Sequence, residues 1–192
     1  MKPKKINGSY RFKDYPTFTP NISPRDMFKM GSFGGTYWRP IYSSVVKKNI
    51  KNRHLKYPKS WWKGIADNYL TNDWKKYDKH VNKYGKKVGS TLQFWEGKKW
   101  ITKHHPYGWV EWYCDFFQGK RCADDIRQIS RWEGIAGPNG RFRKWLITLI
   151  IKKKSKYNDD LVSPAIRQTL QHWAYKLTKS DYDKEIKSRI AQ

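Results

Sequence analysis

PYGWVEWYCDFFQGKRCADDIRQISRW (residues 106–132) is the stretch whose reading decides the fold class. Its first half carries Trp109, Val110, Trp112, Tyr113, Cys114, Phe116 and Phe117, apolar on nearly every helical face. A helix that is apolar all round belongs at the centre of a domain. Pro106 suits its start and Gly119 its stop, which predicts a helix over 106–118. In the second half Ile126, Ile129 and Trp132 recur at helical spacing. A second helix is therefore expected over 123–134, with those three facing the core and Asp124, Arg127, Gln128 and Arg131 on the opposite face.

Working outward, the GIAGPNG stretch (134–140) ends in a turn before a third helix over 141–154. Ser163-Pro164 then caps a fourth that ends near Leu177, with Ile166, Leu170, Trp173 and Leu177 on one stripe. Ser180 opens a last, polar helix. Toward the N-terminus, Ser90 and Gln93 fit a capping box for a helix running to about Lys99. Ser60-Trp61-Trp62 opens a short helix, and Ser23-Pro24 starts another that Gly31 stops. Period-two alternation is absent almost everywhere. The expectation is an all-α fold: a single compact helical domain of about seven helices with long aromatic-rich loops. Residues 1–22 read as an irregular basic N-terminal arm, 23–178 as the helical domain and 179–192 as a C-terminal polar helix.

Composition bounds the function. The 192 residues carry 41 Lys+Arg against 16 Asp+Glu, a formal net charge of +25. Only 38% are hydrophobic, yet 17% are aromatic. Each large ring buries roughly 150–250 Å², which a disordered basic tail has no use for. Solubility needs a net charge of only about 2–8 on a small domain, so the surplus points to a polyanion. The longest apolar run, Leu146 to Ile151, is too short to span a membrane, and the first residues lack the apolar stretch of a secretory signal. An intracellular location is expected, in cytoplasm, nucleus or viral factory, or packaged in a virion. Cys114 and Cys122 then read as reduced thiols. His104-His105 is not at metal-ligand spacing, and neither a metal nor a cofactor is expected.

Two groups of residues invite chemistry. Glu111 and Asp115 stand four apart on one helical face, with Gln118 on the same stripe. They read as a structural pair with an Arg or Lys from the neighbouring helix, or alternatively as catalytic or metal-binding carboxylates. Asp124 or Asp125 orients an arginine or caps its helix. The second group is cationic. Arg127, Gln128 and Arg131 offer the donors used on phosphates and base edges, and Arg141, Arg143 and Lys144 open the following helix where free amides also meet phosphates. Arg167 on the fourth helix and the stretch with Lys47, Lys48, Lys51 and Arg53 extend the set. Three glycines in GSFGGTYWRP (31–40) mark a tight turn or a phosphate-cradling loop. His172 reads as a satisfied structural histidine.

GSFGGTYWRPI, YDKHVNKYGKKVGSTLQFWEGKKWI, the 106–132 block and SPAIRQTLQHWAYKL together resemble a family of basic, Trp-rich proteins of unassigned function, associated with bacteria, algae, fungi and large DNA viruses. The resemblance spans residues 23–178. It implies one domain there and, with Lys outnumbering Arg roughly three to one, a large DNA virus as source. It supplies no activity and no site residue. The expected function is non-catalytic, largely sequence-tolerant binding of nucleic acid, DNA above RNA, through Lys/Arg–phosphate contacts with aromatic stacking. The alternatives are a nucleic-acid-processing enzyme built on Glu111, Asp115, Asp124 and Asp125, and a basic structural protein of a virion or other assembly that meets an acidic protein partner.

Overall fold

The computed structural model describes residues 2–191. The fold is predominantly helical, but not purely all-α as expected: two small antiparallel hairpins are present. The first joins β1 (Lys4–Ile6) to β2 (Ser9–Arg11), with Asn7 and Gly8 both at positive φ in the turn. That Asn-Gly pair is a strong short-range hairpin signal. The second pairs β3 (Ile41–Ser43) with β4 (Lys48–Ile50). Three-residue strands are too short to show alternation, which is why periodicity missed both.

The helices are α1 (Pro24–Lys29), α2 (Lys59–Trp62), α3 (Leu92–Gly97), α4 (Trp109–Phe117), α5 (Asp125–Ala136), α6 (Arg141–Lys152), α7 (Pro164–His172) and α8 (Lys179–Ile190). Ser23 caps α1 by accepting from the Asp26 amide, and Pro24 sits at the first helical position. At α3 the cap shifts by one: Thr91 accepts from the Phe94 amide, and the Ser90 hydroxyl instead accepts from the Trp95 indole at 2.9 Å. α4 starts at Trp109 rather than Pro106, because Gly108 takes φ 83°, ψ −147°, outside the helical region. α7 stops at His172 rather than near Leu177. Ala174 turns to φ 56°, and its carbonyl accepts the amides of Asn21 and Ile22.

α4 is the central rod, with Trp112, Tyr113, Cys114 and Phe116 wholly enclosed. The same core takes in Ile129 and Trp132 of α5, Leu146, Ile147 and Ile150 of α6, and Ile166 and Leu170 of α7. The N-terminal segment also enters this core. Phe18 is 0% exposed and meets Trp112, Tyr113 and Trp132 at ring separations of 5.6, 5.9 and 5.1 Å. Phe12 stacks on Phe18 and packs against Phe116. Residues 2–22 therefore do not form the irregular arm that their lysines and prolines suggest, and Met1 lies outside the described residues. A few large rings outweigh the polar majority, since each buried Phe contributes roughly 1.5–3 kcal/mol. The polar α8 docks too: Tyr182 and Ile186 pack against the core, and Arg189 donates to the Thr148 hydroxyl.

The glycine-rich loop is a clasp. A Cβ on Gly31 would lie 1.8 Å from the Val81 carbonyl oxygen, and one on Gly35 would lie 2.4 Å from that of Asn68, so segment 67–83 presses directly onto the loop. Its amides are spent internally: Phe33 donates to His172 Nε2 and Gly34 to Asn82 Oδ1. This leaves no phosphate cradle there.

Candidate functional site

Four carboxylates stood as the catalytic alternative, and all four are engaged by partners within the fold. Glu111 is 0% exposed. Its Oε1 accepts from Arg53 and Lys56, and its Oε2 from the Tyr107 amide. The partners come from the turn at residues 53–56, not from the neighbouring helix. Asp115 accepts from Lys56 at 3.0 Å and Lys120 at 3.1 Å, and His105 Nε2 lies 3.4 Å away. Burial alone would raise the Asp115 carboxyl, but His105, Lys56 and Lys120 hold it below the usual range. Asp124 accepts from Arg127 and from the Gln128 amide, which lower it against its own burial. Asp125 accepts from the Trp112 indole at 2.8 Å and the Cys122 amide at 3.1 Å. Among the described residues no cluster of His, Cys, Asp or Glu is arranged to hold a metal ion.

The cationic residues singled out by sequence divide. Arg53 is committed to Glu111. Arg143 is buried, bonded to Asp181 at 2.7 Å and lying over the Tyr175 ring. Arg167 is buried and donates to the carbonyls of Val162 and Tyr157. Gln128, expected on the outer face of α5, is enclosed, while Ile126, expected in the core, is 74% exposed. Hydrogen bonds to Asp124 and from Arg131 draw Gln128 inward, and a hydropathy pattern does not register such bonds. Four of the set thus belong to the packing. Lys47, Lys48 and Lys51 are exposed at the tip and end of the β3–β4 hairpin, Arg141 is exposed at the start of α6, and Lys144 is half-buried beside it.

Arg131 has a different setting. Its guanidinium stands between two indoles, 5.1 Å from the Trp100 ring and 5.4 Å from that of Trp173. It donates to Gln128 and, among the described residues, has no carboxylate at ion-pair distance, though the Asp124 charge acts on it from farther off. Burial and the nearby Arg127 push its pKa down to about 10, so it stays charged at neutral pH. Arg131 borders a cavity of about 500 Å³ whose walls include Trp95, Trp100, Trp173, Phe33 and Phe142, with Arg141 and His172 also lining it. Among the described residues no Asp or Glu lines this cavity. The Val88–Ser90 segment and Trp95 separate it from a smaller hollow under Trp74 and Arg39. Over the Trp74 ring stand Arg39 at 5.0 Å and Lys87 at 5.3 Å.

The chain matches no family model, no curated protein and no solved structure. Function has to be argued from this geometry. Sequence reasoning named Arg131 and Arg141, but missed the aromatic walls. These come from separated segments, and the only forward signal was the excess of tryptophan.

Proposed function

We propose that the protein binds nucleic acid, DNA in the first instance, without chemistry of its own. Phosphates are held by its cations, and unpaired bases stack on its exposed rings. The observation that carries this reading is the pairing of cations with partly exposed aromatic faces: Arg39 and Lys87 on Trp74, Lys98 on Phe94, Arg131 on Trp100. Single-strand binders combine a cationic track with such stacking platforms. Two further features support it. Among the described residues the ion pairs engage eight Lys or Arg side chains, so most of the 41 stay available for phosphate. The carboxylates that an enzyme would use are saturated by internal donors. Among the described residues no helix is long and apolar enough to cross a membrane. The reading places the protein wherever nucleic acid is handled, in cytoplasm, nucleus or viral factory, or with a packaged genome.

The test compares a short single strand with a duplex of the same sequence. Affinity for both should fall steeply from 50 to 200 mM salt, because each phosphate contact contributes a slope of about −0.7 to −0.9. Trp74→Ala and Trp100→Ala should each weaken the single strand by about 1–3 kcal/mol, the range for one stacked base, and barely affect the duplex. Affinity that ignores salt, or ring deletions that affect neither form, would overturn the reading.

A further inference from the structure

The cavity beside Arg131 has properties that a generic polyanion surface does not need. Its walls are largely aromatic, and the charged side chains that line it are Arg131 and Arg141. Arg131 is fixed by two indoles and, among the described residues, has no carboxylate at ion-pair distance. Arg141 stands at the rim, over the Phe142 ring at 5.1 Å. The start of α4 borders the space, but amides there are engaged within the fold: Gly108 donates to the His105 carbonyl and Glu111 to the Tyr37 hydroxyl.

His172 supplies an independent sign. It is 6% exposed and stacked on Phe33 at 3.8 Å. Its Nε2 accepts from the Phe33 amide and the Gln168 side-chain amide. The proton of the neutral ring therefore sits on Nδ1, a donor without a protein partner on a residue that lines the cavity. This nitrogen is not sealed in the core but open to the cavity, where water or a ligand acceptor can meet it; among the described residues, the sealed donor without a partner on a cavity-lining residue is the indole N–H of Trp109.

We propose that this cavity is a site for one nucleotide: its ring stacks among Trp100, Trp173 and Phe142, and its phosphate is held by Arg131 and Arg141, with His172 Nδ1–H as a further donor. A cavity of about 500 Å³ suits a single ring system with its sugar and phosphate and is too small for a folded partner. The absence of carboxylates suits an anion and disfavours a cationic or donor-rich ligand. The inference deepens the nucleic-acid reading at the Arg131–Trp100 pair that the two share, and the experiment below separates the failure of one from the failure of the other. The same chemistry comes from two sources, a free mononucleotide or the phosphorylated end of a strand.

Titration calorimetry on the full chain distinguishes them. Adenosine 5′-monophosphate should bind at one site per chain, with adenosine and inorganic phosphate each at least about tenfold weaker, since each lacks half of the recognition. Arg131→Met, which keeps the apolar contact and removes the charge, should weaken the monophosphate at least about tenfold. Arg141→Ala lies on the surface, where the fold does not depend on it, and should weaken binding several-fold. The Lys152→Ala/Lys153→Ala pair should change nothing. A strand whose 5′-phosphate strengthens binding, with the gain lost in Arg131→Met, identifies the strand end as occupant. Strands that bind alike and do not compete with the monophosphate identify the free nucleotide. No saturable heat up to about 1 mM, or affinity equal in the parent and both arginine variants, overturns the proposal. In that case continued strand binding would leave the nucleic-acid reading intact. Monophosphate binding without any strand binding would instead support the cavity site and overturn the nucleic-acid reading.

Discussion

Glu111 takes two cations and one amide with none of its surface exposed; removing the carboxylate leaves the partly exposed Arg53 without its ion-pair partner and Lys56 with Asp115 alone. Glu111→Ala should destabilise the protein by about 1.5–3 kcal/mol in urea unfolding, the range for losing hydrogen bonds to a charged group when the cations left behind can still reach water. Asp115, partly open to solvent, should cost distinctly less. His172 sets a pH dependence of opposite origin. Burial pushes its folded pKa down to about 3, while the unfolded ring titrates near 6.5. The unfolded state thus binds the extra proton between those values. The stability from the neutral ring is complete above about pH 6.5 and is lost as pH falls, by about 2 kcal/mol between 6.5 and 5. The burial-lowered His54 acts in the same direction. The depressed carboxylates Asp115 and Asp124 begin to matter only below about pH 4. Denaturant midpoints at pH 7 and 5 for the parent and His172→Gln should show a steeper loss in the parent. Equal slopes would assign the effect elsewhere. The shared face of Glu111 and Asp115 was legible from their spacing. Their partners were not, because one lysine in a cationic stretch looks like the next until the chain folds.

At the scale of elements, the N-terminal segment is the sharpest case. Removing residues 1–9 takes away exposed lysines and most of the β1–β2 hairpin, and should shift thermal unfolding only slightly. Extending the deletion to residue 22 removes Phe12 and Phe18 from among the rings of α4 and α5, and should abolish cooperative unfolding. Phe18→Ala alone should cost about 3–5 kcal/mol. A fully cooperative 23–192 fragment would show that the core closes without them. Helix starts and stops were legible where one residue dictates geometry, as at Ser23-Pro24 and at Gly119, which sits at φ 90°. They were misread where two neighbours compete for one role, as with Ser90 and Thr91. The phase of α5 was misread because Asp124, Gln128 and Arg131 satisfy one another, so a polar stripe turned inward and Ile126 outward.

Across the whole molecule, a charge of +25 on 192 residues sets two responses to salt with opposite signs. Self-repulsion opposes the compact state and is relieved by screening, so the melting temperature should rise with added salt while nucleic-acid affinity falls. Parallel scans in the same buffers check this, and a melting temperature that falls with salt would mean that the internal ion pairs outweigh the repulsion. The basic, helical, aromatic-rich character was legible from composition. The cavity was not, since its walls assemble from stretches near residues 33, 88–101, 107–110, 131–142 and 169–173 that share no motif. The two thiols give this architecture a built-in stopwatch. Cys114 is sealed at the centre of α4 with its thiol pKa raised well up by burial, whereas Cys122 lies half-exposed at the entrance to α5. An alkylating reagent reaches Cys122 in the folded protein, and reaches Cys114 only during the moments when the central rod comes free. The lag between the two modifications counts how often the core opens, with no denaturant present.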